Sequence, residues 1–534
     1  MAYAGSDDRS VMAGGEISKH PFPVVHHKGI LEILTNTFQI RYLLRKPVND
    51  HINRELAIQS GEASIHEWLF NEKEGLSLLV PATVYPPRED TGLLFSCLAK
   101  LGDGNGKKLL EIGCGSGAIS IAAAKLGWEV TTCDVNPLAI AATTGNASYN
   151  KVNLTAIEGG LDEDSNFINQ QLIESQGPFD IITWNLPYLS PVKGDEERLG
   201  PFEDAGLVDS PENSGWGVAL LQTITRENDL LKHGGAIYLL HTNNERGNLL
   251  QSRWRAAGWA TRISSELQFD DGERLTCFAA WKPHEKATRQ SHDVLDSSNQ
   301  YLLDEEFPVG SMVTAKQQRF GRGQRKRVWD TDEGDFAGSW VLDPKLVDNG
   351  PGLIQLDAGV AVIDAICASQ DIPLASAHWT NCKPLSHHNL SIRWPNDVWT
   401  ASGKLAGCLV EGRQIGKHQK IVLGIGVNLG TPSNKEYHST GLEEIANHME
   451  LEVFTNLLDT AVASQFEIGK LIPTRRNQKN AIWALMSNHL KSGLSLTQGA
   501  ENLIVTDISQ GGELICHDGK KRHIVSDSYN LIWN

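Results

Sequence analysis

From about residue 65 to 283 short apolar runs alternate with longer runs whose apolar positions recur at helical spacing. The strand-like runs are Lys108–Ile112, Glu129–Cys133, Phe179–Thr183 and Ala236–Leu240; the helix-like ones are Ala118–Leu126 and Ala139–Asn150. Strand and helix in turn predict a parallel α/β sheet, because parallel neighbours need crossover connections. A second mixed α and β segment runs from Leu295 to about 487. From 488 the pattern shortens to Leu503–Thr506, Glu513–His517 and His523–Val525, broken by Gly511-Gly512 and Asp518-Gly519, which predicts a small β-barrel. Residues 1–64 carry no catalytic pattern and read as a leader with a small accessory element, in which Ile30–Leu44 reads as a helix. The stretch 284–294 is polar and aperiodic and reads as a linker. The divisions are therefore 1–64, 65–283, 284–294, 295–487 and 488–534.

At 534 residues the chain is too long for one ordinary domain, and 40% hydrophobic residues are ample for packed cores. No segment reads as apolar enough over a sufficient length to span a bilayer, so no membrane is expected. Met1–Lys19 lacks the apolar core of a secretory signal. The eight cysteines form neither CxxC nor a Cys/His cluster, which points to a reducing cytoplasm rather than a zinc site or disulfide scaffold. Cys114 reads as a small packing residue. The net charge of −17 argues against a large nucleic-acid footprint, so no DNA binding is expected. Arg319–Arg327 forms the dense basic cluster; its interleaved glycines favour a loop around a phosphate-bearing small ligand.

Two constellations carry chemistry. In the first, Leu109–Gly117 (LLEIGCGSG) runs a strand into Gly113, Gly115 and Gly117 and then a helix, and the next strand ends in Asp134. Glycines admit close backbone approach, and a carboxylate at the end of the second strand is where an α/β nucleotide site holds a ribose. Asn185-Leu186-Pro187-Tyr188 follows a third strand; an Asn amide can hydrogen-bond a planar amide or amine while an aromatic ring stacks on it. With Val84–Leu94 (VYPPREDTGLL), these motifs resemble the class I, S-adenosylmethionine-dependent methyltransferases of the release-factor glutamine methyltransferase group, over about residues 75–283. The resemblance implies a Rossmann-like fold, cofactor contacts from Thr91, Glu111, Gly113, Gly115, Gly117, Asp134 and Asn185, and a substrate amide held by Asn185, Pro187 and Tyr188. Two positions depart from the family: Leu186 stands where NPPY has Pro, and Gly160 stands where an Asp beside the adenine is usual. Glu158 and Asp162 are the candidate substitutes.

In the second, Gly321, Arg322, Gly323, Arg325 and Arg327 precede Trp329. Guanidinium forks can bind phosphate oxygens while Trp stacks on a flat ring. Pro395-Asn396-Asp397 closes a strand, Lys404 follows on a turn and can neutralise charge developing on a phosphate, and Gly424–Asn428 (GIGVN) reads as a buried strand reaching a ligand. With Asp296–Asp304 (DSSNQYLLD), QRFGRGQRKRVW from Gln318, RWPND and GKLAGCLVE, these resemble the biotin protein ligases over about residues 290–534. The resemblance implies an α+β catalytic domain with an SH3-like C-terminal β-barrel. It implies biotin contacts from Ser297, Ser298, Gln318 and the backbone near Gly407, and a biotinyl-AMP enclosure of Arg322, Arg325, Arg327 and Trp329. Asn299, Gly321, Gly323, Gly426 and Asn428 belong to the same biotin and ATP pocket by this resemblance. Asn396 and Asp397 would support the nucleotide and its magnesium, and Lys404 would assist both chemical steps. Arg393 replaces the commoner Lys of KWPND, and Gln324 replaces a loop arginine that retains the intermediate.

The expectation is a fusion using S-adenosylmethionine, ATP with magnesium, and biotin. Its partners would be the biotin carboxyl carrier protein of a carboxylase and a peptide-chain release factor. The resemblance also allows a homodimer joined through sheet edges. Two alternatives for the first half stay open: an adenine methyltransferase acting on nucleic acid, which NLPY permits, and an inactive binding module.

Overall fold

The computed structural model describes residues 61–533, apart from 163, 190–205, 207, 210–213, 227–228, 324–328, 330, 350, 378–389, 417, 433–437, 491–495, 499–500 and 527–530. The leader up to residue 60, with its expected helix at Ile30–Leu44, therefore lies outside the described residues.

The first half opens with the hairpin β1 (Ser64–Leu69) and β2 (Gly75–Val80), followed by α1 (Glu89–Ala99). The alternation then unfolds as expected: β3 (Lys108–Ile112), α2 (Ala118–Lys125), β4 (Glu129–Asp134), α3 (Pro137–Tyr149), β5 (Thr155–Glu158), the short strands β6 (Gly160–Leu161) and β7 (Phe167–Ile168), α4 (Gln170–Gln176), β8 (Phe179–Asn185), α5 (Trp216–Arg226), β9 (Leu231–Thr242) and α6 (Glu245–Ala256). Two strands not legible beforehand, β10 (Ala260–Gln268) and β11 (Arg274–Trp281), complete a seven-stranded sheet in the order β10-β11-β9-β8-β3-β4-β5. The five strands from β9 to β5 run parallel, and β11 and β10 add an antiparallel edge. Parallel strands align their carboxyl ends, so Ile112, Asp134, Glu158 and Asn185 finish side by side along one rim. That rim is where open α/β sheets place ligands.

The second half contains β12 (Arg289–Leu295), α7 (Ser298–Asp304), β13 (Met312–Gln318), β14 (Phe336–Leu342), α8 (Pro351–Ser369), β15 (Ser391–Arg393), β16 (Asp397–Trp399), β17 (Lys404–Ile415), β18 (His418–Val427) and α9 (Leu451–Phe466). Its sheet has the order β12-β13-β14-β18-β17-β16-β15 and is antiparallel except for the β12–β13 pair. β12 lies inside the segment that reads as a linker, so the second sheet begins there. It is an edge strand with no fully buried side chain, and hydrophobic alternation has nothing to mark.

Helix α8 corrects one expectation. Gly352–Ser369 is long and apolar enough to cross a membrane by composition, yet 83% of that window is buried. It packs against α9, β17 and α6, which cover it on several sides. A helix that is apolar all round needs such cover, since each large side chain left in water forgoes about 1.5–3 kcal/mol. The chain ends with α10 (Lys479–Leu490) and an antiparallel sheet of β19 (Leu496–Gln498), β20 (Glu501–Ile508), β21 (Leu514–His517), β22 (Arg522–Val525) and β23 (Leu531–Trp533). Its turn reaches the second sheet, where Gly512 O accepts from Trp394 Nε1 at 2.8 Å. One hydrophobic core runs from Trp184 and Trp254 in the first half to Trp340 and Ile425 in the second. The described cysteines are all free and buried.

Candidate active sites

Gly113, Gly115 and Gly117 take φ of 71°, 54° and 82°, a left-handed region that side chains disfavour. This curl turns β3 into α2 and brings Gly115 N within 2.9 Å of Asp134 Oδ2. Asp134 Oδ1 accepts from Asn136 N at 2.8 Å, and burial pushes the carboxyl up to about 6. Glu111 behaves differently. It is buried and accepts from the Ser120 hydroxyl on α2, and burial pushes it up to about 8, so it ties the loop to the helix. Gly160 sits so close that a Cβ there would stand 2.7 Å from Val135 Cγ1. Of the two candidate substitutes, Glu158 lies in register beside Asp134, with its carboxyl raised by burial. Asp162 instead closes a turn by accepting from Asp164 N and Asn166 N.

Asn185 closes β8. Its Nδ2 donates to Asp90 Oδ2 at 3.0 Å, and Tyr188 OH lies 3.5 Å from the same oxygen. Asp90 is only 3% exposed and its other oxygen accepts from Thr91 N at 2.6 Å. Thr91 also accepts from Arg88 N, so its hydroxyl serves the start of α1. The Asn185 amide is thereby fixed: its nitrogen is taken, while Oδ1 is buried without a partner among the described residues. Burial and the Asp90 charge push the Tyr188 phenol up, which keeps it neutral. Leu186 is buried, contributes to the core, and lies across from Gly217. Pro187 is buried beside it. Asp90, within VYPPREDTGLL, joins this group although no local pattern in the sequence marks it.

In the second half, Ser297 caps α7 by accepting from Gln300 N, while Ser298 N and Oγ reach Gln318 Oε1 at 2.8 and 3.2 Å. Ser298 Oγ and Asn299 Oδ1 both meet Ser339 Oγ, at 2.7 and 2.6 Å. Asn299 Nδ2 donates to Glu411 Oε2 at 2.8 Å, and Arg322 Nη1 to Glu411 Oε1 at 2.9 Å. Glu411 and Ser339 thus organise this side of the site without having been singled out. On the other side Lys404 Nζ lies 2.8 Å from Asp397 Oδ1 and 5.2 Å from the centre of the Trp329 ring. A Cβ at Gly407 would stand 3.0 Å from that indole, and one at Gly426 would overlap it. Gly321 O accepts from Trp329 N at 2.9 Å. Asn396 and Asn428 are structural in placement: Asn396 Nδ2 donates to Cys408 O, and Asn428 Nδ2 to the carbonyls of Lys404 and Thr440. Gly323 borders the stretch 324–328, so Gln324, Arg325 and Arg327 lie outside the described residues. Among the described residues no group of three or more His, Cys, Asp or Glu side chains could hold a metal ion, and Asp397 stands as a lone carboxylate beside Lys404.

Residues 91–186 match the ribosomal protein L11 methyltransferase (PrmA) family, and residues 291–428 match the biotin/lipoate A/B protein ligase family. A putative protein N5-glutamine methyltransferase of Methanocaldococcus jannaschii is 32% identical over 213 residues, which covers 40% of this chain and 98% of that protein. A biotin--[acetyl-CoA-carboxylase] ligase of Paracoccus denitrificans is 37% identical over 122 residues, covering 22% of this chain and 45% of that protein. The bifunctional ligase/repressor BirA of Escherichia coli is 31% identical over 139 residues, covering 26% of this chain and 39% of its own length. The chain thus spans less than half the length of these ligase relatives. A solved biotin protein ligase from Aquifex aeolicus, in complex with biotin and ATP, aligns with 98% of its chain and 46% of this one at 22% identity and a TM-score of 0.36. The chain belongs to the family of the putative protein N5-glutamine methyltransferases and continues into a biotin-ligase half, so that it is a methyltransferase–biotin ligase fusion.

Proposed function

We propose that the chain is bifunctional. The first half methylates the side-chain amide nitrogen of a glutamine in a peptide-chain release factor, and the second half biotinylates a lysine of a biotin carboxyl carrier protein. The methyl-transfer reading is carried by the Asn185 amide, whose nitrogen is held by Asp90 while Oδ1 is buried without a partner among the described residues. Leaving such an acceptor unsatisfied costs about 1–3 kcal/mol, which a substrate N–H would recover. S-adenosylmethionine, when bound, supplies an electrophilic methyl group. The curled glycine loop would let the backbone approach it, with Asp134 and Glu158 at the strand ends to take its hydroxyl and amino groups. Asn185 takes one N–H of the substrate amide, Asp90 decides which end of Asn185 does so, and Pro187 and the neutral Tyr188 flank the amide. These residues act by positioning and by excluding water.

In the ligase half the biotin carboxylate attacks the α-phosphate of ATP and expels pyrophosphate; the acceptor lysine amine then attacks the biotinyl carbonyl and expels AMP. Lys404, beside Asp397 and the Trp329 ring, would offer a cation to the charge that develops on phosphate, and this grouping supports the reading. Arg322, anchored by Glu411, adds a second cation, and Arg325 and Arg327 are proposed to help enclose the intermediate. The Ser298–Gln318–Ser339–Asn299 network offers polar groups to biotin, and Asn396 and Asn428 hold the turns that present Asp397 and Lys404. Magnesium would arrive with ATP and take Asp397 from the protein. The C-terminal sheet is read as the SH3-like barrel that braces Trp394 beside this site.

The test uses the full chain with S-adenosylmethionine and a release factor, with RNA and DNA in parallel, and with biotin, ATP and a carrier domain. Mass spectrometry should place a methyl group on the Gln of the Gly-Gly-Gln loop, lost in Asn185→Ala, and biotin on one carrier lysine, lost in Lys404→Ala. A methyl group on adenine, or none on any substrate, would overturn the first half of the proposal.

A further inference from the structure

The two halves meet over a seam that holds buried polar groups paired across it, beside more exposed ion pairs such as Arg253–Asp371. Arg255 of α6 is 3% exposed and pairs at 2.8 Å with Asp364 of α8, which is fully buried. Asp364 also accepts from Ser376 N at 3.0 Å. On the edge strand β10, the buried Arg262 donates to the carbonyls of Ser464, Glu467 and Pro473 at 2.8, 2.9 and 2.6 Å. A guanidinium from the first half thus caps the carboxyl end of helix α9 in the second, where carbonyls have no helical partner. Beside it Thr261 N donates to Ser464 Oγ at 2.9 Å. Trp281 Nε1 donates to Glu467 at 2.8 Å, and Tyr238 OH to Leu471 O at 3.1 Å. Around these bonds the apolar core is continuous.

Independent domains in one chain meet through solvated, largely polar faces and move against each other. This seam has the other character. Separation would leave the Arg262 guanidinium and the last carbonyls of α9 without their protein partners, and Asp364 without its cation. The same helix reaches the ligase site: Asp459 on α9 accepts from Trp340 Nε1 at 2.8 Å, and Trp340 adjoins Ser339 of the polar network.

We infer that the methyltransferase half is a structural part of the ligase, so that the two halves fold and unfold as one cooperative unit. This stands independently of which molecule accepts the methyl group.

Scanning calorimetry and hydrogen exchange on the full chain test it, with and without biotin plus a non-hydrolysable ATP analogue. A single transition is expected, with a calorimetric enthalpy equal to the van't Hoff value. The ligands should raise its midpoint and slow exchange at Leu109–Ile112 in the first half as well as in α9. Arg262→Lys, which keeps the charge and loses the fork, should lower the common midpoint by roughly 2–5 °C. Ser464→Ala, a milder change at the same seam, should shift it in the same direction. Two transitions, each answering only to its own half, would overturn the inference. So would slowed exchange confined to residues after Arg289, or variants that shift one half alone.

Discussion

In the first half the glycines of the site stand in a loop at left-handed φ, and around Gly115 there is room, since a Cβ there would find its nearest atom 3.7 Å away. In the second half Gly407, Gly424 and Gly426 lie within strands without positive φ, and something rests on each of them: the Trp329 indole on Gly407 and Gly426, the Asn299 amide on Gly424. The difference follows from sheet type. A parallel sheet gathers its functional groups at the strand ends, where the backbone must curl sharply. An antiparallel sheet offers its open face, and a ligand or side chain can lie on it only where Cβ atoms are missing. Gly115 therefore supplies conformation and Gly407, Gly424 and Gly426 supply space, while Gly117, at positive φ with a Cβ that would stand 2.9 Å from the Thr143 side chain, supplies both.

The largest test of this contrast removes the charge and the clamp. Lys404→Ala should slow biotinyl-AMP formation by roughly 10²–10³-fold while methyl transfer is unchanged, measured by pyrophosphate release. Asn185→Ala should reduce methyl transfer about 100-fold and leave adenylation intact. Asp90→Ala should follow at about 10-fold, because Asn185 then keeps its hydrogen-bonding groups and loses only its fixed orientation. The glycines separate the two causes directly. Gly426→Ala should cut adenylation about 10–100-fold, because the added Cβ would displace the Trp329 indole, which a change in tryptophan fluorescence should report. Gly115→Ala should weaken S-adenosylmethionine binding about 10-fold, with no neighbouring truncation able to rescue it, because the fault lies in its own backbone. Rescue of Gly115→Ala by a smaller neighbour would erase the distinction.

The smallest effect is a pH dependence confined to the first site. Asp134 is held up to about 6 by burial, so it gains a proton as pH falls through that value and ceases to be a pure acceptor. Cofactor affinity should then weaken by up to about 10-fold per pH unit below 6, while biotin affinity does not follow the same curve. Titration calorimetry between pH 5 and 8 would check the sign, with both bounds chosen to be about one to two units around it.

Legibility followed the range of the interactions. The strand β3 came out at the bounds read from its apolar run, and the glycine loop with its acidic partner on β4 was visible within a few dozen residues. Asp90 was not, because its meaning depends on Asn185, 95 positions away. Glu411 was not, because it serves Asn299 from 112 positions away and appears in sequence as one more exposed strand residue. β12 escaped because an edge strand without a buried face has no hydrophobic alternation to show. α8 has the opposite problem: buried on many sides, it has the composition of a membrane span.

The sequence by itself determined the α/β alternation, the two families and the contiguous motifs from which both proposed sites are built, since these depend on periodicity and on residues adjacent in the chain. Only the tertiary structure decided which end of Asn185 is free, that Trp329 lies over Gly407 and Gly426, and that Arg262 of one half caps a helix of the other. Each of these depends on a buried polar group or a close contact finding its partner in space, and no local pattern encodes that partner.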